Sequence, residues 1–215
     1  MPVKKHSHPK WSNYWGSRHK RPAVQPQPKS KCEPIDLVVV ERMHQALPAK
    51  AREHLKSTRM LSDAVIDHYK LGYEERDGEK RITIPIADEQ GIYRDVRRWL
   101  PPEYRTEDSA KILHWRTGYG ALRLFPIDQL QVDELVLCEG ELDALALISH
   151  SIPAITATCG VSTWPNSLSE RFKAKQVTIL LDHDEAGEKG TQRRAEGLSS
   201  CGAVVKVARW PEVAE

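Results

Sequence analysis

The stretch "QVTILLDHDEAG", residues 176–187, runs from a polar start through a β-branched and leucine-rich core into three acids within four positions. The apolar run has the length and composition of a buried strand. Acids at the tip of such a strand repel one another and resist desolvation unless something positive meets them. "DELVLCEG" (133–140) repeats the plan, a short apolar run ending in Glu139 and a glycine. Around these two, runs with helical spacing alternate with runs of strand character. "ELDALALISHS" (141–151), "SLSERFKAK" (167–175) and "EAGEKGTQRRAEGLSSCG" (185–202) read as helices. "IPAITATCG" (152–160) and "AVVKVARWP" (203–211) read as strands. That alternation predicts an α/β unit with a mostly parallel sheet flanked by helices, and ligands in such sheets gather at the carboxyl ends of the strands.

The acids of interest fall at those ends. Glu139 follows one strand, Asp182 and Asp184 follow another, and Asp143 stands one helical turn beyond Glu139. Carboxylates converging on a strand-end crevice form a hard oxygen site, whose natural counter-ion is Mg2+ or Mn2+ shared with substrate phosphates. Taken singly, each acid has a plainer reading: Asp184 or Glu185 as a helix cap, Asp143 as a first-turn acid. Their shared position favours the site.

Upstream, the pattern is different. "PIDLVVVERMHQALPAKAREHLKSTRML" (34–61) reads as two helices broken at Pro48, and "SDAVIDHYKLGY" (62–73) as a third, capped by Ser62 and stopped at Gly72. "KRITIPIADEQGIYRDVRRWL" (80–100) alternates on both sides of a turn-forming "DEQG" and predicts a β-hairpin. "AKILHWRTGYGALRLFP" (110–126) adds Lys111, Arg116 and Arg123 among glycines and aromatics. The predicted organisation is a tail over 1–31, an α+β subdomain over 32–131 and the α/β unit over 132–215.

The chain has 215 residues, 40% hydrophobic and 29% charged, ordinary values for a water-soluble domain. No apolar run approaches the roughly 20 residues of a membrane span, and no apolar core follows the N-terminal charges, so neither a membrane partner nor a secretory signal is expected. Four dispersed cysteines without a C-x-x-C pair fit a reducing cytoplasm. The tail holds eight basic and no acidic residues, which leaves −6 for the rest of a chain with a formal charge of +2. Trp11, Tyr14 and Trp15 interleave with those charges, a composition that suits single-stranded nucleic acid and equally a solubilising arm.

Together, "LVLCEGELDALAL", "TATCGVSTWP" and "VTILLDHDEAGEKG" resemble the Toprim domain, the metal-binding α/β module of primases, topoisomerases and certain nucleases. "AREHLKSTRMLSDAVIDHYKLGY" and "RITIPIADEQGIYRDVRRWLP" extend the resemblance to DnaG-type primases and Twinkle-like primase-helicases, over roughly residues 49–210. The resemblance implies that Glu139, Asp182 and Asp184 are catalytic metal-binding acids, with Asp143 as an accessory. It implies a basic ridge for template and triphosphates at Arg98 and Lys111, joined by Arg81, Arg97 and Arg116, and close backbone approach at Gly160. The implied activity is primer synthesis: RNA made on single-stranded DNA from nucleoside triphosphates, in company with a replicative helicase or another replication protein. A Toprim nuclease, or a catalytically weak DNA-binding module of primase fold, are the alternatives. The zinc-binding segment that opens bacterial primases has no counterpart here, no G-x-x-x-x-G-K-[ST] loop occurs, and past "ARWP" only Glu212 and Glu215 could add acids. The expectation is a minimal primase, or one piece of a larger machine.

Overall fold

The computed structural model describes residues 32–158 and 163–209. Three helices lead in. Helix α1 (Leu37–Gln45) starts at Asp36, whose carboxylate accepts from the Val38 N–H at 2.8 Å. Helix α2 (Ala49–Arg59) begins behind Pro48. Helix α3 (Asp63–His68) is capped by Ser62, which accepts from the Val65 N–H. All three follow the sequence pattern.

An antiparallel sheet comes next, in the order β1 (Gly72–Arg76), β2 (Glu79–Ala87), β3 (Tyr93–Trp99), β4 (Ile112–Leu113). β2 and β3 are the predicted hairpin. β1 was not predicted, although its turn signal is present: Asp77 and Gly78 both take positive φ, 55° and 79°, the conformation of a two-residue hairpin turn. Gly72 needs a correction. The helix before it ends at His68, and Gly72 opens β1 instead. A Cβ there would lie 2.5 Å from the Met43 carbonyl carbon, so glycine lets α1 lie directly on the strand.

The second sheet has the order β5 (Leu124–Phe125), β7 (Ala154–Ala157), β6 (Glu134–Cys138), β8 (Gln176–Leu180), β9 (Val204–Val207). β6 to β9 run parallel, as expected for a mostly parallel α/β sheet. β5 joins antiparallel from upstream of residue 132. Helix α4 (Glu141–Ser149) covers one face; α5 (Asn166–Ser169) and α6 (Glu185–Ser200) cover the other.

Helix α4 also joins the two sheets. Its Leu142 and Leu145 share one buried cluster with Leu55, Ile66, Ile82, Ile84, Ile86 and Trp99 from α2, α3 and the first sheet. Burying an apolar side chain of this size contributes about 1.5–3 kcal/mol. This cluster therefore fixes how the first sheet faces the strand ends of the second, and a crevice forms where they meet.

Candidate active site

Parallel pairing in register sets the acids side by side. Cys138 on β6 lies opposite Leu180 on β8, so Glu139 and Asp182 emerge from neighbouring strands at the same edge. The Asp182 N–H donates to Glu139 Oε2 at 3.2 Å, and Thr156 Oγ1 donates to the Glu139 carbonyl at 2.8 Å. Burial raises the Glu139 carboxyl above the ordinary range; Asp182 and Asp184 push it the same way, while the Asp182 N–H and Arg194 oppose them. Asp184 is the N-cap of α6, accepting from the Gly187 N–H at 2.7 Å. Gly187 is required there, because a Cβ would collide with the Asp182 carbonyl oxygen at 2.0 Å. Asp143 turns to a cation: its Oδ1 accepts from Arg59 at 2.8 Å.

A cleft of about 200 Å3 brings Glu139, Asp143 and Asp182 opposite Arg59, Arg97 and Lys111, with Trp99 and Ile112 on its walls. Among the described residues no group of three or more His, Cys, Asp or Glu side chains is arranged to hold a metal ion. The donor chemistry nevertheless suits a hard divalent cation. Glu139, Glu141, Asp143 and Asp182 line the crevice, and burial together with the neighbouring acids disfavours the charge on Glu139, a penalty that a cation would relieve. A larger cavity of about 490 Å3, lined by Tyr69, Phe125 and Asp128 among others, contains none of these acids.

The predicted basic residues divide by strand parity. Arg97 and Arg98 are consecutive on β3 and so face opposite ways. Arg97 lies on the face of Ile84 and Trp99 and borders the acid cleft; its Nε donates to Glu141 Oε1 at 2.8 Å. Arg98 lies on the far face, 6% exposed, in an ion pair with Glu74 at 2.7 Å. Burial lowers its pKa. Arg81, 1% exposed, pairs with Glu79 and donates to the carbonyls of Arg98 and Ala110. Of the residues expected on the ridge, Arg81 and Arg98 thus lie buried and away from the acid cleft. Their guanidiniums are spent inside the first sheet, because a cation buried there must be paired. Lys111 and Arg116 are exposed, and Arg116 lies over the Trp115 ring at 5.3 Å. Gly160 lies outside the described residues, as do the tail and Glu212 and Glu215.

Sequence reasoning missed Arg59 and Glu141. Arg59 looks like an ordinary basic last-turn residue of α2, and nothing in its spacing indicates that α4 sits opposite. Among the described residues no helix is long and apolar enough to cross a membrane.

Residues 136–215 match the family model described as Toprim-like. The DNA primase of Aquifex aeolicus is 28% identical over 142 residues, which take in 62% of this chain and 28% of that protein. This chain thus spans under a third of that relative's length. The solved zinc-binding and RNA polymerase domains of the Aquifex aeolicus primase superpose with a TM-score of 0.64 at 21% identity, over 83% of this chain and 55% of that one. The primase domains of bacteriophage T7, solved with the lagging-strand DNA polymerase and bound to an RNA/DNA hybrid and dTTP, superpose with a TM-score of 0.57 at 21% identity, over 72% and 78%. The strand-end acid pair on the parallel sheet lies within the residues that are similar to the Toprim-like family. More narrowly, the chain is similar in sequence to proteins named DNA primases and shares the fold of solved primase domains.

Proposed function

We propose that this chain is the catalytic core of a DNA primase, joining ribonucleotides on single-stranded DNA by metal-dependent nucleotidyl transfer in the cytoplasm. The observation that carries the reading is the cleft itself, with Glu139 and Asp182 on one wall and Arg59, Arg97 and Lys111 on the other. A triphosphate needs both: anionic oxygens to share a divalent cation, and fixed cations to orient its phosphates.

Glu139, Asp182 and the Asp184 oxygen not used as a cap would hold Mg2+ or Mn2+. When bound, the ion would lower the pKa of an attacking 3′-hydroxyl and neutralise a leaving pyrophosphate. The protein's own contribution is position. The α4 cluster holds the two walls apart at a fixed distance, and the Asp182 N–H keeps the Glu139 carboxylate at the strand edge. Asp143 and Glu141 tie Arg59 and Arg97 to α4, so the cations that meet phosphate are ordered before the ligand arrives. Lys111, exposed at the mouth, supplies a movable charge. Template would pass over the exposed cations Lys111 and Arg116, the latter seated over the buried Trp115 ring. A functional division near residue 132, a separate tail over 1–31 and a helicase or other replication partner belong to the same reading.

The test is primer synthesis on single-stranded DNA with labelled nucleoside triphosphates and Mg2+ or Mn2+, beside Asp182→Asn. Labelled oligomers from the parent alone are expected. A shortened template without oligomers would instead identify a Toprim nuclease.

A further inference from the structure

Behind Arg97 lies a polar chain that the cleft does not expose. Asp95, one position pair earlier on the same face of β3, is 1% exposed and spends Oδ1 on the N–H groups of Val96 and Trp115. Its Oδ2 lies 2.6 Å from His114 Nδ1. A carboxylate at that distance accepts, so Nδ1 carries the proton, and in the neutral ring Nε2 is left as an acceptor. Arg97 Nη1 lies 2.9 Å from both Nε2 and Nδ1, so it rests against the face of the ring, where only Nε2 is open to its N–H groups. Gly120 closes the other side: a Cβ there would come within 2.9 Å of His114 Nε2. Arg97 is thereby held at two of its three nitrogens, Nε by the Glu141 carboxylate and Nη1 by the face of the His114 ring. Nη2 is the nitrogen outside both contacts, on a side chain that borders the cleft.

We propose that His114, fixed in one tautomer by Asp95, is a positioning residue that aims Arg97 at a phosphate of the incoming nucleotide. The proposal rests on the nucleotidyl-transfer reading. The logic is that of a guanidinium held on one side so that its open side presents a fixed donor, which spares the ordering cost when the ligand binds. His114 touches no reacting atom; it acts through Arg97.

The experiment measures binding of Mg2+-ATP by calorimetry and the nucleotide KM and kcat of primer synthesis, with melting temperatures as the folding control. His114→Ala is expected to weaken ATP binding and raise KM by roughly tenfold, the effect of one lost charge-assisted hydrogen bond, with little change in kcat. His114→Gln, whose flat amide can take the place of the ring against Nη1, is expected to recover most of the loss. Arg97→Lys keeps a cation on Glu141 but has no Nη1 to meet the ring, so adding His114→Ala to it is expected to cost nothing further. An equal loss in the Arg97→Lys background, or no loss in the parent, would overturn the proposal while the nucleotide reading survives. Failure of the parent itself to bind Mg2+-ATP would overturn the nucleotide reading, and the role of His114 with it.

Discussion

The two walls of the cleft are built on opposite rules. On the acid wall, Glu139 and Asp182 are delivered by topology: parallel strands in register must end at the same edge, whatever side chains they carry. On the basic wall, charge is delivered by pairing. Arg59 is held by Asp143 and Arg97 by Glu141, and both acids belong to the first turn of α4. The acid wall therefore carries unrelieved repulsion, and the basic wall carries charge already half neutralised. Substitutions on the first should damage chemistry and spare the fold, whereas those on the second should divide according to which face of β3 they occupy.

The largest effect belongs to the acid wall. Asp182→Asn is expected to lower primer synthesis roughly a thousandfold or more, since Asp184, the other aspartate on that strand end, is already engaged as the cap of α6. Its melting temperature should stay within a few degrees of the parent, because Asp182 is exposed and its backbone N–H, not its side chain, bonds Glu139. A collapse of folding in that variant would make the acid wall structural.

Arg59 and Arg98 test the basic wall next. Arg59→Ala is expected to raise the nucleotide KM on the order of tenfold to a hundredfold. Arg98→Ala should instead cost stability. Removing one partner of a buried ion pair typically costs about 3–5 kcal/mol, but Arg76 still holds the other Glu74 oxygen at 2.7 Å, so about 2 kcal/mol is expected in urea unfolding. Equal KM effects from both arginines would erase the distinction between the two faces.

That distinction marks where the sequence stops being legible. The parallel sheet, its strand-end acids and the β2–β3 hairpin could be read because each depends on local periodicity and turn chemistry, which are written in consecutive residues. β1 was missed although "DG" sits at its turn, because "GYEER" lacks an apolar alternation strong enough to stand out. β5 has two residues, too few for any period. The arginines were ranked by resemblance, and a one-residue difference on a strand reverses the face. Only the pairing of Ile84 with Arg97 and of Thr83 with Arg98 resolves it. Arg59 was unreadable for a different reason. Its partner Asp143 is 84 positions away, and only the shared α4 cluster brings them together.

The smallest expected effect has the opposite sign from the rest. Glu139 has a folded-state pKa raised above its unfolded value, chiefly by burial. Between those two values the native state binds more proton than the unfolded chain, so stability falls as pH rises through that window and stays reduced above it. Without divalent cation, Glu139→Gln is therefore expected to raise the melting temperature at neutral pH. The difference from the parent should disappear as the pH falls below the unfolded value, where Glu139 is protonated in both states. Adding Mg2+ or Mn2+ should close the gap from the other side, since a cation stabilises the charged parent by mass action and has one carboxylate fewer to bind in the variant. A Glu139→Gln protein less stable than the parent at neutral pH, with no cation present, would mean that the carboxylate serves the fold through its bond to the Asp182 N–H. The acid wall would then follow the same rule of pairing as the basic one.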